Sequence, residues 1–460
     1  MKRIMSRSFI VFFVAIAFFG GVCFLAFRLA TQSNDWAHQP YNEHIIYENA
    51  LSNAGQITDR NGEVLARTND DGERVYHSDK DTRCALLHVV GDDTVNISTA
   101  IQSMFRGDLS GYSMLWGFGV PDSMRGSSDM QLTVDAKACK DTYNAFNGMK
   151  GACVVYNYMT GEVLVDVSTP TYDPQNPPVI TDENSSQYEG VYLDNVLSST
   201  YTPGSIFKII TAVAAIENIP DIYDRYFQCN GSCEIEGNEI TCDGVHGTVN
   251  FADSFKYSCN ISFAQLAVEL GEDKMTEAAE KLGFNQKFDI NGIPVASSKY
   301  DLDSENYYGD NQLGWSGIGQ FEDLANPMHM AIMCGAIANA GTPATPYLFA
   351  DTSVFGRFGL QGSTEIGQMI DADTATKVGQ LMYDTGIYYQ EKGLSMAGLD
   401  FCAKTGTAEV AGKKPNGWIV GYIEDSSHPY AFAVVVEEGD YGFESAGPIA
   451  QTAINSLVNG

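Results

Sequence analysis

Ser205-Ile206-Phe207-Lys208 is the only Ser-X-X-Lys in the chain, and it directly follows Pro203-Gly204, a turn leading into an apolar run with helical spacing. Positions i and i+3 share one face of a helix, so the Lys208 amine can reach the Ser205 hydroxyl and take its proton. Phe207, Ile209 and Ile210 flank that amine, and desolvation among them pushes a lysine down toward the range a base needs. Backbone N–H groups in a helix's first turn have no internal partner, so the same terminus can hold a developing oxyanion. One short segment therefore offers a nucleophile, its base and part of an oxyanion hole, the equipment for attack on a carbonyl through a covalent acyl intermediate.

Two further motifs follow downstream, Ser258-Cys259-Asn260 and Lys404-Thr405-Gly406-Thr407. Ser-X-Asn carries little weight alone, since it recurs as Ser304-Glu305-Asn306, read here as a chance match in a polar loop. Lys-Thr-Gly is expected by chance in about one chain in ten of this length, which makes it the more informative partner. Elements must bring these distant segments together. Ala152 to Tyr158 and Glu162 to Ser168 are β-rich runs joined by Met159-Thr160-Gly161, and further strands are predicted at about 399–408, 417–424 and 430–437. A helical, motif-bearing stretch lies between them, and a terminal helix runs from about Pro448 to Val458. Strands at both ends with helices inserted predict an α+β domain whose sheet is completed by distant segments and carries Lys404 to Ser205.

At 460 residues the chain exceeds one ordinary hydrophobic core, and 24 Tyr and 24 Phe supply ample apolar surface for two domains. Its net charge of −31 argues against polyanionic partners, so no nucleic acid is expected. After Lys2, Arg3 and Arg7, residues Phe9 to Phe27 carry no charge, and at about 1.5 Å per residue they match a hydrocarbon core of about 30 Å. Such a run exceeds a signal peptide's apolar region, so the expectation is an uncleaved anchor. The basic residues before it and Asp35, Glu43 and Glu48 after it place the N-terminus in the cytoplasm and the remainder outside. The expected domains are a cytoplasmic tail over 1–8, a transmembrane anchor over 9–30, a small β-rich membrane-proximal module over 31–130 and the catalytic domain over 131–460. Within the module, Gly55 to Ala66 reads as a hairpin about Asn61-Gly62, with Asp59 and Arg60 in a structural turn with an ion pair.

Taken together, the three motifs in this order resemble those of penicillin-recognising serine enzymes, and nearly the whole chain is similar to a class B penicillin-binding protein. The Asp59-Arg60-Asn61-Gly62 hairpin, Lys150-Gly151-Ala152, Thr160-Gly161-Glu162-Val163-Leu164, Pro170-Thr171-Tyr172-Asp173-Pro174 and Gly317-Ile318-Gly319-Gln320 extend the resemblance. Ile206, where the family often has Thr, and Cys259 in the second motif depart from it. The resemblance implies a serine β-lactamase-like transpeptidase fold and a peptidoglycan D,D-transpeptidase. Ser205 would be acylated by a stem peptide ending in D-Ala-D-Ala, with Lys208 as base, Ser258 relaying a proton and Asn260 orienting Lys208. Lys404 would supply positive potential, Thr405 and Thr407 would bind the terminal carboxylate, and Gly406 would let the peptide approach the strand. It further implies covalent capture of β-lactams, no cofactor, and a polytopic glycan polymerase as membrane partner. Two alternatives remain, a hydrolytic relative (D,D-carboxypeptidase or β-lactamase) and a non-catalytic scaffold or sensor.

Ten cysteines stand outside this scheme. Cys23 lies in the anchor, while Cys84, Cys139, Cys153, Cys259, Cys334 and Cys402 sit singly in or beside apolar runs and read as buried thiols. Cys229, Cys233, Cys242 and His246 have spacings that suit a zinc ion, a disulfide between Cys229 and Cys242, or unpaired thiols. The disulfide is the preferred reading, and no metal is expected.

Overall fold

The computed structural model describes residues 2–37, 51–52, 54–94, 96–110, 129–302, 309–350 and 365–460. Lys2–Ala37 is one helix. Its window Val11–Arg28 has a mean hydropathy of 2.2 and none of it is buried against the rest of the chain, so it is long and apolar enough to cross a bilayer.

Beyond it, β1 (Ile57–Thr58), β2 (Val64–Thr68), β3 (Arg74–Tyr76) and β4 (Met130–Gln131) form a small sheet in the order β3-β2-β1-β4. The expected hairpin is there, but its charges serve differently from expectation. Asp59 is buried and accepts from the backbone N–H of Asn61 and Glu63, both at 2.8 Å, and of Ala136 at 3.2 Å. Arg60 turns to Glu162 instead, at 3.9 Å. The segment 170–174 ties this module to the next: Arg83 grips Asp173 through two N–H donors at 2.7 and 2.8 Å, and the Tyr172 hydroxyl reaches Asp92 at 2.5 Å. Ser304-Glu305-Asn306 lies outside the described residues.

After the helix Ala136–Phe146 come β5 (Gly151–Asn157) and β6 (Val163–Thr169). The stretch read as helical then contains three short ribbons among its helices. They are built from β7 (Tyr226–Cys229) with β10 (Gly247–Asn250), β8 (Ser232–Ile235) with β9 (Asn238–Thr241), and β11 (Phe288–Ile290) with β12 (Ile293–Val295). These strands are three or four residues long and leave too short a pattern to declare a period. Finally β13 (Phe401–Ala408), β14 (Asn416–Ile423) and β15 (Tyr430–Val436) complete an antiparallel sheet in the order β13-β14-β15-β5-β6. Helices cover both faces, the terminal Gly442–Asn459 and 136–146 helices on one and Pro327–Ala338 with Ala372–Glu391 on the other. That is why every residue of β14 is buried and why these strands read as continuous apolar runs. The terminal helix starts at Gly442, six residues earlier than expected, and takes Pro448 into its course.

Candidate active site

The position of Ser205 is set by a left-handed residue. Gly204 has φ 56°, and a Cβ there would collide with the carbonyl of Thr407, so only glycine lets the turn lie this close to β13. Gly204–Phe207 is a 3-10 turn that passes directly into the helix Lys208–Asn218. In 3-10 geometry positions i and i+3 eclipse, and Lys208 Nζ accordingly lies 3.0 Å from Ser205 Oγ. The turn is pinned from both sides. Gly204 N donates to Gly319 O at 2.8 Å, Thr211 Oγ1 to Gly317 O at 2.6 Å, and Trp418 Nε1 to Thr202 O at 3.0 Å. The Gly317–Gln320 motif is thus the bracket under Ser205.

Lys208 is wholly buried, and its amine also lies 2.7 Å from Ser258 O, 3.1 Å from Ser258 Oγ and 2.6 Å from Asn260 Oδ1. Burial pushes its pKa down to about 8. An uncharged amine has two N–H donors and one lone pair; the Ser258 carbonyl and Asn260 amide take the donors, and the lone pair is left for the Ser205 proton. Ser258 itself sits at φ 59°, a left-handed turn just before the helical stretch Asn260–Lys281. Asn260 is anchored in turn, its Nδ2 donating to Thr241 O at 2.9 Å.

Lys404 approaches from the sheet. Its amine donates to Ser258 Oγ at 3.0 Å and to Thr405 O at 2.9 Å. Phe263 underlies Lys208 and Phe255 underlies Lys404, each amine 5.9 Å from its ring centroid. Burial first, and the neighbouring Lys208 second, pull Lys404 well below an ordinary lysine. Two amines facing one hydroxyl in an apolar pocket exchange protons as a pair and resist carrying two charges.

Strand β13 is the sheet edge next to the Ser205 turn. A Cβ at Gly406 would stand 2.8 Å from Pro203 O and 3.1 Å from Ile206 Cγ2, so this glycine admits the nucleophile turn itself. Thr407 lines a cavity of about 200 Å³ together with Ser205, Asn260, Trp315, Gln320 and Tyr441. The Thr405 hydroxyl lies 2.7 Å from the Tyr389 hydroxyl, which also accepts from Thr405 N at 3.1 Å. Tyr389 carried no mark in the sequence, nor did Thr241 or Trp315, because none belongs to a motif and each reaches the site only through the fold.

All five predicted polar residues therefore meet at Ser258 Oγ and Lys208 Nζ, whereas the predicted cysteine group is rearranged. All ten cysteines are free, so Cys229 and Cys242 form no disulfide. Cys229, Cys242, His246 and Cys259 bring their ligand atoms within 4.8 Å of one another, with Cys259 in the place expected of Cys233. Cys233 sits on β8, paired with Ile240. Cys259 is buried as expected but does not stand alone.

Residues 151–455 match the family described as penicillin binding protein transpeptidase domain. The peptidoglycan D,D-transpeptidase PbpA of Mycobacterium tuberculosis is 26% identical over 473 residues, covering 92% of each chain. Two solved structures share the architecture. The D,D-transpeptidase domain of a peptidoglycan glycosyltransferase from Eggerthella lenta is 26% identical with a TM-score of 0.74, covering 89% of this chain and 99% of that one. The penicillin G acyl-enzyme complex of M. tuberculosis penicillin-binding protein A is 25% identical with a TM-score of 0.73, covering 88% and 99%. Family match, fold and the meeting of three distant motifs agree: the chain belongs to the penicillin-binding protein transpeptidases, in the class B group of peptidoglycan D,D-transpeptidases.

Proposed function

We propose that the chain cross-links peptidoglycan stem peptides through an acyl-enzyme on Ser205. The observation that carries this is the placement of the buried Lys208 amine, 3.0 Å from the Ser205 hydroxyl and with no carboxylate among its hydrogen-bond partners. Lys208 takes the Ser205 proton as the oxygen attacks the carbonyl between the two terminal D-alanines. Backbone N–H groups of Ser205 and Thr407 hold the oxyanion, each such donor being worth about 3 kcal/mol. The proton passes through Ser258 to the departing D-alanine amine as the C–N bond breaks, leaving an ester on Ser205. An amine of a second stem peptide then attacks that ester, gives its proton to Lys208, and Ser205 leaves as the hydroxyl.

The terminal carboxylate, arriving at Lys404 and the Thr405 and Thr407 hydroxyls, favours the charged form of Lys404 and so drives the shared proton off Lys208. Substrate binding in this way readies its own base. β-Lactams place a similar strained amide in the same groove and acylate Ser205.

The Lys2–Ala37 helix anchors the chain with its N-terminus in the cytoplasm, the 1–8 tail inside, the 31–130 module next to the membrane and the 131–460 domain outside. A polytopic glycan polymerase that supplies the uncross-linked strands is the partner this arrangement suits. A fluorescent penicillin is the test. It should label the wild-type chain and not Ser205→Ala; labelling that survives the substitution would refute the assignment, and rapid turnover of a chromogenic β-lactam would favour a hydrolase.

A further inference from the structure

The thiol and imidazole group beside the Ser258–Asn260 motif has the dimensions of a metal cage. In tetrahedral zinc sites the Zn–S and Zn–N bonds of about 2.3 and about 2.0 Å set sulfur and nitrogen about 3.5 Å apart. His246 Nδ1 lies 3.5 Å from Cys229 Sγ and 3.6 Å from Cys242 Sγ, and Cys259 closes the set within 4.8 Å. The four ligands come from four places: the end of β7, the residue after β9, the residue before β10, and the loop before the 260–281 stretch. Two ribbons and a catalytic loop thus converge on one point. The His246 ring lies nearly parallel to Tyr257, 6.2 Å away between centroids.

We infer that Cys229, Cys242, His246 and Cys259 bind one zinc ion in a closed tetrahedral site that clamps the Ser258–Asn260 segment to the β7/β10 and β8/β9 ribbons. Three thiolates and one imidazole suit zinc, where carboxylate and carbonyl sets suit magnesium or calcium. Four protein ligands leave no open position, so the ion holds structure and does no chemistry on substrate. Its reach into the active site is short. Cys259 stands between Ser258 and Asn260 in the chain, Asn260 N donates to Cys242 Sγ at 3.3 Å, and Asn260 Nδ2 donates to the carbonyl of Thr241, the neighbour of Cys242. Zinc therefore sets where Asn260 Oδ1 meets Lys208, and this consequence rests on the acyl-enzyme reading above.

Metal analysis of the full-length chain, purified in detergent under reducing conditions, tests the site directly. About one zinc per chain is expected, falling to background in Cys229→Ser and His246→Ala and unchanged in Cys233→Ser, whose thiol lies outside the cage. If those variants fail to fold, cobalt replacement in the wild-type chain decides: a tetrahedral cobalt spectrum with thiolate charge-transfer bands supports the site, and its absence overturns it. Chelation should slow fluorescent-penicillin labelling about tenfold, as loss of a positioning shell does elsewhere, and added zinc should restore it. A chain that takes up no zinc, or one whose mass map shows Cys229 joined to Cys242, would overturn the inference. Zinc bound stoichiometrically to a chain that penicillin never labels would keep the metal site and sink the acyl-enzyme reading.

Discussion

The active site is held from two sides by unlike supports. On the sheet side, Lys404 and Gly406 sit on a strand whose neighbour β14 is buried along its whole length, and apolar packing with a full hydrogen-bond ladder fixes their places. On the ribbon side, Ser258 and Asn260 lean on β7 to β10, four-residue strands with only one buried residue each in β7, β9 and β10 and none in β8. Burial stabilises by about 25 cal/mol per Å² of apolar surface, and the ribbons have little to bury. Their order depends on individual ties, namely the thiol–imidazole group, the Thr241 carbonyl and the Asn250 side chain that caps Asp253 N at 2.7 Å. A site of this build should fail as a unit on the sheet side and tie by tie on the ribbon side.

The largest effect should come from the sheet. Gly406→Val places methyl groups where Pro203 O and Ile206 already stand, so the nucleophile turn must retreat. A displacement of about 1 Å costs on the order of 100-fold in rate, and overpacking should also destabilise the domain by about 1–3 kcal/mol. Labelling kinetics and thermal melting should fall together; a normal rate would mean that the turn is not seated on β13. Asn260→Ala strikes the ribbon side and should slow labelling about tenfold to 100-fold, since a partner of the base is lost while Lys208 keeps the Ser258 carbonyl. Its melting temperature should move little. A large fall in stability there would mean that the ribbons are packed like the sheet, and the contrast drawn above would be wrong.

This division also explains what could be read from the sequence. The buried strands announce themselves as apolar runs, and Ser205, Lys208, Ser258, Asn260 and Lys404 belong to short motifs whose chemistry is local. The ribbons do not, because strands this short carry no usable period and their polar faces resemble loop. Cys259 was legible as a buried thiol but not as the partner of Cys229 and His246, since that meeting depends on two ribbons folding toward the 258–260 loop. Spacing alone favoured Cys233, which lies nearer in sequence yet points its strand elsewhere.

Where the two supports meet, acidity is the measurable quantity. In the proposed mechanism Lys208 acts as a base only when uncharged, and burial lowers its pKa to about 8. Below that value each pH unit leaves about tenfold less of the neutral amine, so the second-order rate of penicillin labelling should rise about tenfold per unit up to about pH 8 and then level. A lysine left in water would keep the rate rising to about pH 10. A break near that higher value would show that the pocket does not exclude solvent from the amine. Asn260→Ala should displace the break, and Cys233→Ser should not.

The smallest effect should come from Tyr389→Phe, and it isolates one tie on the otherwise rigid sheet side. The ring remains packed against Phe443, whose centroid is 5.5 Å away, so the core should be intact. Only the hydroxyl is lost, and with it the acceptor for Thr405 N and the neighbour of Thr405 Oγ1. Either hydroxyl of the Tyr389–Thr405 pair can donate to the other, and when Tyr389 donates the threonine proton is free for an incoming carboxylate. Losing one such hydrogen bond costs about 0.5–1.5 kcal/mol, or about twofold to tenfold. The loss should appear in the concentration dependence for peptides and β-lactams bearing a carboxylate, and not in the rate at saturation. An equal loss with a carboxylate-masked β-lactam ester would show that Tyr389 steadies the strand and does not orient Thr405 toward substrate.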